Sequence, residues 1–61
     1  MTGPQRFRIE RLPNGFIRVD DRRSGLVTLF NEDGTYRHGS QHVRIEWRFS
    51  AGWHVAERIA R

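Results

Sequence analysis

The side chains best suited to binding chemistry in this sequence are arginines, and three of them lie in or just after the stretch HVRIEWRFSAGWHV. Arg44 and Arg48 alternate there with large apolar residues, and Arg58 follows shortly afterwards. A guanidinium group is always charged and presents several N–H donors in one plane, which suits phosphate and carboxylate oxygens. Arg22 and Arg23 form a second group of cations in a glycine-containing turn. Together these arginines predict contacts with an anionic partner.

Nucleic acid is the first class of partner that this chemistry suggests, because arginines contact phosphates and exposed aromatic rings stack on single-stranded bases. Tyr36 and Phe16 are the candidates for stacking, since alternation assigns Trp47 and Trp53 to the core. Counterion release predicts that the affinity of such a complex falls steeply with salt. The predicted nucleic-acid-binding residues are Arg44, Arg48, Arg58, Arg22, Arg23 and Tyr36.

A protein partner is the alternative that the same residues leave open, because Arg and Trp are enriched at the hot spots of protein interfaces. The third predicted strand, residues 26–30, is apolar on both faces. Such a strand is either covered on both sides within a small closed sheet or placed at a dimer contact. The sequence therefore also fits a protein-interaction module, either a homodimer or an accessory or inhibitor protein of a phage or plasmid type element.

Catalysis and metal binding receive little support from residue types and spacing. The serines Ser24, Ser40 and Ser50 all fall in turns, where serine serves local hydrogen bonding. No histidine has a recognisable nucleophile–base–orienter arrangement. There is no cysteine, and His38 and His42 flank an ordinary turn rather than belonging to a cluster of ligands. We therefore expect a non-enzymatic binding protein with no metal and no cofactor.

Length and charge limit the class of protein. A chain of 61 residues forms one small domain, near the size limit for folding without help. All 11 basic residues are Arg and the net charge is +4, which favours an anionic partner, although GC-rich coding would also explain the preference for Arg. No segment resembles a signal peptide or a membrane span, so we expect a cytoplasmic protein. Residues 1–5 are expected to be a flexible tail before a single β domain of residues 6–61.

Period-two alternation interrupted by glycine turns organises the whole sequence. Three connections, at 13–15, 32–34 and 50–52, consist of two residues followed by glycine, which is the form of a three-residue hairpin loop. The connection 21–25 begins with an Asp whose carboxylate can accept N–H groups of the turn. A helix beginning at Ser50 is the rival assignment for the tail, and the alternation of residues 53–55 favours a strand. Strands are predicted over 7–12, 16–20, 26–30, 35–38, 42–49 and 53–59.

Charge pairing selects the register of the first hairpin. A three-residue loop places Glu10 opposite Arg18 and Arg8 opposite Asp20, whereas a two-residue turn would oppose two arginines. The three-residue register is therefore predicted.

The same loop form in the last hairpin places Phe49 opposite Trp53 and Arg44 opposite Arg58. Two facing arginines are unfavourable unless a carboxylate or an outside anion lies between them. Glu46, diagonal to Arg58, is the internal carboxylate that would relieve the repulsion. The arginine-bearing face of this hairpin is the predicted anion-binding surface, and its aromatic residues face the core.

The predicted fold is all-β: a small antiparallel meander of five to six strands, curled into an SH3-like or similar small barrel. Curling is expected because a flat sheet of this size leaves its edges exposed. The predicted core consists of Phe7, Ile9, Ile17, Val19, Val27, Leu29, Phe30, Val43, Ile45, Trp47, Phe49, Trp53, Val55 and Ile59.

The stretch NGFIRVDDRRSGLVTLF resembles the strand–turn–strand of the small three-stranded DNA-binding domains at the N-termini of some phage integrases. The resemblance covers under a third of the chain and implies two antiparallel strands around the turn. Those domains also carry a long helix, for which this sequence shows no pattern, so no binding residue is carried over.

Overall fold

Six β-strands make up the regular structure of residues 5–58, which are the residues that the computed structural model describes. The strands are β1 (Phe7–Arg11), β2 (Ile17–Asp21), β3 (Val27–Phe30), β4 (Tyr36–Gly39), β5 (Val43–Arg48) and β6 (Gly52–Glu57). The all-β class is confirmed, and the segment after Ser50 is a strand rather than a helix. No helix of the described part is long and apolar enough to cross a membrane. Ile59 and residues 1–4 of the predicted tail lie outside the described residues.

The strands form two antiparallel sheets. Strands β1 to β4 pair in chain order as a four-stranded meander, and β5 and β6 form a separate hairpin. Within residues 5–58 no strand pairing joins the two sheets, so a closed barrel is not present there. The meander is confirmed for the first four strands, and the SH3-like barrel stays a prediction.

The connections at 13–15 and 32–34 adopt the predicted three-residue loops. Glu10 pairs with Arg18 and Arg8 with Asp20, as charge pairing predicts. Gly15 and Gly34 end their loops with φ of 94° and 93°, a conformation that L side chains rarely adopt.

The predicted register of the last hairpin is wrong by two residues. Gly52 is the first residue of β6 rather than the last residue of the loop, and the loop consists of residues 49–51. As a result Arg44 lies opposite Ala56 and not opposite Arg58. A shift of two residues leaves every strand residue on its predicted face, because side chains alternate with a period of two. The facing pair of arginines on which the predicted anion surface rested does not form.

The core lies between the two sheets, and most of it was predicted. It consists of Ile17, Val19, Phe30, Val43 and Ile45, with Phe7, Ile9, Trp53 and Val55 packed against it.

The predicted core assignment is wrong for Trp47, Phe49 and Val27, which are 58%, 96% and 41% exposed, and Leu29 is only half-buried. Phe49 belongs to the loop, and Trp47 lies near the end of β5, where its ring makes an edge-to-face contact with Trp53 at 5.2 Å between ring centroids. Val27 and Leu29 lie on the outer face of the four-stranded sheet, in register with the charged residues of β2.

Candidate functional site

Arg44 and Arg48 lie on the solvent-facing side of β5 with Glu46 between them. The Glu46 carboxylate binds the Arg44 guanidinium and lies 3.5 Å from that of Arg48. Arg44, and to a lesser degree Arg48, hold the pKa of Glu46 below its usual value. Two arginines and one glutamate leave this strand face with a net charge of only +1. Arg44 and Arg48 lie on the predicted face of the strand, but Glu46 balances much of their charge.

The end of β5 and the loop that follows it expose two aromatic side chains. These residues, 47–51, are called the hairpin tip below. Phe49 is almost entirely exposed, Trp47 is more than half exposed, and the Arg48 side chain between them is 65% exposed. The rings of Trp47 and Trp53 meet edge to face at an interplanar angle of 70°. Sequence reasoning missed this feature because it placed both aromatics in the core. The available signal was the unfavourable pairing of Arg44 with Arg58 that a loop at 50–52 requires.

The other predicted cations lie at the opposite end of the hairpin. Arg22 and Arg23 occupy the exposed turn after β2, and the N–H of Arg22 donates to the carbonyl of Arg6 at 2.7 Å. Arg58 follows β6, and its N–H donates to the carbonyl of His42 at 3.0 Å. Within residues 5–58 no carboxylate lies within 4.0 Å of these three guanidinium groups. The predicted arginines therefore divide into two groups instead of forming one patch.

The two residues predicted to stack on bases are less accessible than the hairpin tip. Tyr36 is half-buried on β4, and its hydroxyl donates to the carbonyl of Gly39 at 2.7 Å. The guanidinium of Arg37 covers the ring of Phe16 at 4.2 Å. A role for Tyr36 in binding stays a prediction.

Asp21 is the centre of a polar cluster that joins the two sheets, although it is only 1% exposed. The Arg6 guanidinium donates to both carboxylate oxygens, from Nε at 3.2 Å and from Nη2 at 3.1 Å. Arg6 also binds Glu57 of β6, so one guanidinium connects β2 to the hairpin. Sequence reasoning did not single out Arg6.

Local bonds complete the environment of the Asp21 carboxylate. Its Oδ1 accepts the N–H groups of Arg23 at 2.9 Å and Ser24 at 3.4 Å, which confirms the predicted cap of the turn. Its Oδ2 lies 2.8 Å from Nε2 of His42. The bond with Arg6 is the largest cause that holds the pKa of Asp21 far below its usual value, and burial opposes it. The carboxylate is therefore ionised throughout the neutral range.

Ser40, His42 and Asp21 follow one another in the order of a hydrolase triad. The Ser40 hydroxyl lies 2.6 Å from Nδ1 of His42. Since an ionised carboxylate only accepts, Nε2 of His42 is the donor to Asp21, and in the tautomer with its single proton there Nδ1 accepts from the Ser40 hydroxyl. Acyl transfer also needs N–H donors for an oxyanion beside the nucleophile, and the Ser40 amide donates to the Val27 carbonyl at 3.1 Å. The arrangement fits a structural relay that fastens the β4–β5 connection to β2.

The histidines have three separate environments. His38 is exposed on β4, whereas His42 belongs to the Asp21 cluster. His54 lies on β6, and its Nε2 is shielded from solvent without a hydrogen-bond partner among the described residues. The described part of the chain contains no group of three or more His, Asp or Glu side chains that could hold a metal ion.

No family of known proteins, no characterised relative and no solved structure matches this chain. What the residues define is a class: a small all-β protein with an exposed aromatic hairpin tip and arginines at both ends of the hairpin. Its function has to be argued from those two features.

Proposed function

We propose that this protein binds single-stranded nucleic acid, with bases stacked on Trp47 and Phe49 and phosphates held by arginines. The hairpin tip carries the proposal, because two exposed aromatic side chains flank an exposed arginine there. Stacking on an aromatic ring contributes roughly 1–3 kcal/mol per base and tolerates any sequence, because every base has a π face. In a duplex the base faces are already stacked on one another, so the tip favours a single strand.

The distribution of charge supports the same proposal. Four of the carboxylates, Asp20, Asp21, Glu46 and Glu57, are already engaged in ion pairs. Six other arginines of the described part of the chain have no carboxylate partner there and can attract phosphate. Arg44 and Arg48 lie on β5, the strand that leads into the hairpin tip. Among residues 5–58, the arginines with no carboxylate within 4.0 Å are Arg8, Arg11, Arg22, Arg23, Arg37 and Arg58.

Removing either aromatic ring from the hairpin tip is expected to weaken binding of a labelled single-stranded oligonucleotide about tenfold. The variants are Trp47→Ala and Phe49→Ala, measured by fluorescence anisotropy at low ionic strength. Leu26→Ala is the matched control, because Leu26 is a large apolar side chain, 45% exposed, at the other end of the molecule. Binding should also weaken as salt is added, with a slope of about −0.7 per phosphate contacted.

Two results would contradict this proposal. One is the absence of salt-dependent binding of any single strand at low ionic strength. The other is equal binding of single strands and duplexes that neither Trp47→Ala nor Phe49→Ala changes, since stacking at the tip would then play no part.

A homodimer is the second candidate, and the outer face of the four-stranded sheet gives the reason for it. Val27 is 41% exposed there and lies in register with Asp20, which binds Arg18, and the half-buried Leu29 lies on the same face. A two-fold interface brings the same patch of two copies together, so Arg18 of each copy could face Asp20 of the other.

Sedimentation velocity over a range of concentrations is expected to show self-association that Val27→Glu weakens, because the change buries a charge in the contact. Gln41→Glu adds the same charge at an exposed residue of the β4–β5 connection and serves as the control. A concentration-independent monomer would eliminate this candidate.

Two finer expectations remain part of the proposal. A cytoplasmic location would give the protein access to single-stranded nucleic acid. An SH3-like barrel would require β6 to pair with β1 and β5 to pair with β4, because neither pairing is present within residues 5–58.

A further inference from the structure

An open groove separates β1 from β6. Its walls include Phe7 and Ile9 of β1 and Trp53 and Val55 of β6, and its volume is about 430 Å³. A second hollow of about 410 Å³ continues along β1 and shares Phe7 and Ile9 with the first. The two hollows together follow the edge of β1 that β2 does not cover.

The hydrogen bonds at the two ends of β1 show which of its peptide groups face the groove. The carbonyl of Arg6 accepts a bond from the turn after β2 at 2.7 Å, and the N–H of Leu12 donates across the first loop at 2.8 Å. The peptide groups of even-numbered residues of β1 therefore bond to β2. In an antiparallel pair such residues alternate with residues whose N–H and C=O groups point away from the partner strand. The N–H and C=O groups of Phe7 and Ile9 consequently point away from β2, along the free edge.

Strand β6 presents its peptide groups in the same way. The N–H of Arg58 donates to the carbonyl of His42 at 3.0 Å, so even-numbered residues of this strand bond towards β5. The N–H and C=O groups of Trp53 and Val55 point away from β5. Within residues 5–58 neither edge has a strand partner, and the residues that carry the unpaired groups line the same groove.

The rim of the groove is basic. Arg8 and Arg22 line the hollow along β1, and Arg6 lines the part shared with β6. Neither hollow is lined by an Asp or a Glu of the described residues. Arg6 is held by Asp21 and Glu57, whereas Arg8 and Arg22 have no carboxylate within 4.0 Å in the described range.

We infer that this groove binds an extended acidic peptide segment of a partner protein by β-strand addition. The peptide backbone pairs with the free edges, its apolar side chains pack on Phe7, Ile9, Trp53 and Val55, and its carboxylates meet the arginines of the rim. A nucleic-acid strand would also be attracted to those arginines. It has no alternating N–H and C=O groups with which to pair along an edge, so the groove favours a peptide. This inference does not depend on the hairpin tip and goes beyond nucleic-acid binding.

The test uses the full chain and a labelled peptide of about six residues, the length of a typical strand, in which valine alternates with aspartate or glutamate. The matched probe has the same sequence with every second amide N-methylated, which removes the N–H donors along one edge. We expect the unmodified peptide to bind at least about tenfold more tightly in fluorescence anisotropy. It should also slow hydrogen exchange at the amides of Phe7, Ile9, Trp53 and Val55.

Charge reversal on the rim is the second arm of the experiment. Arg8→Glu is expected to weaken peptide binding about tenfold, because an attraction becomes a repulsion. Arg18→Glu is the matched control, since Arg18 lies one strand further in, on the same sheet face, and does not line the groove. Trp47→Ala should leave peptide binding unchanged, so a failure of the proposed nucleic-acid function is distinguishable from a failure here.

Five outcomes would overturn the inference. The peptide could fail to bind, or the N-methylated probe could bind equally well. Arg8→Glu and Arg18→Glu could have equal effects. The amides of Phe7, Ile9, Trp53 and Val55 could already exchange slowly before peptide is added, which would mean that the chain covers its own groove. Finally, an oligonucleotide could protect these amides in place of the peptide.

Discussion

Replacing Asp21 with asparagine is expected to lower the melting temperature by on the order of 10 °C. The change preserves the shape of the side chain but removes the negative charge that Arg6 and His42 both face. An asparagine NH₂ group would meet N–H donors from the arginine or the histidine, so at least one donor would lose its partner. The effect extends to both sheets, because Arg6 also binds Glu57 of β6. Thermal unfolding followed by circular dichroism measures the shift.

The same substitution is expected to change the response to acid. The pKa of Asp21 is lower in the folded protein than its unfolded value of about 3.9. A group with a depressed folded pKa contributes stability that is present above the unfolded pKa and is lost as pH falls through the folded pKa. The native protein should therefore lose stability from about pH 4 downwards, and Asp21→Asn should lose less.

Urea unfolding at a series of pH values from 7 downwards tests this difference. Asp33→Asn is the matched control, because Thr35 lowers the pKa of that exposed carboxylate by local bonds within the 32–34 loop region. Glu46, whose pKa Arg44 also lowers, should maintain part of the acid dependence in both variants. If the free energies of unfolding of native protein and Asp21→Asn ran parallel below pH 4, the cluster would not be the source of acid sensitivity.

The sequence contains a signal that Asp21 is buried, in addition to the signal that it caps a turn. Ile17, Val19 and Asp21 share one parity on β2, so extending the alternation by one residue places the carboxylate on the inward face. A buried carboxylate needs a cationic partner, and the 11 basic residues of this sequence are all arginines. The choice of Arg6 has no local signal, because the second partner of that guanidinium, Glu57, lies 51 residues further along the chain.

The exposure of the hairpin tip was harder to predict for a different reason. Alternation determines which face of a strand a side chain occupies, but not whether another layer of the protein covers that face. Trp47 occupies its predicted face and is still 58% exposed, although its ring makes an edge-to-face contact with Trp53. In the first hairpin, opposite charges on facing residues selected the register. The last hairpin offered a similar signal, because a loop at 50–52 sets Arg44 opposite Arg58, but the glycine rule was followed and placed the loop one residue too far along the chain.

The second large effect is expected at Gly39, where alanine should destabilise the fold by about 3 kcal/mol or more. Gly39 has a φ of 99°, and a Cβ there would lie 2.5 Å from the Val27 carbonyl oxygen and 3.2 Å from Cα of Thr28. Both neighbours are backbone atoms of β3, which cannot retreat because Thr28 and Phe30 are buried. A domain of this size retains roughly 3–5 kcal/mol in total, so a substantial unfolded population is expected at 25 °C.

At Gly39 the backbone cost of a positive φ and the steric cost of the added Cβ act together, and Gly25→Ala separates them. Gly25 also has a positive φ, of 77°, but a Cβ there would meet nothing within 4 Å, so only the backbone penalty of about 1–2 kcal/mol applies. Urea unfolding of both variants therefore measures the steric part by difference. Equal losses would show that β3 yields to the added methyl group. A larger loss for Gly39→Ala would show that β3 is rigid where Ser40 donates to Val27, at the start of the relay through His42 to Asp21.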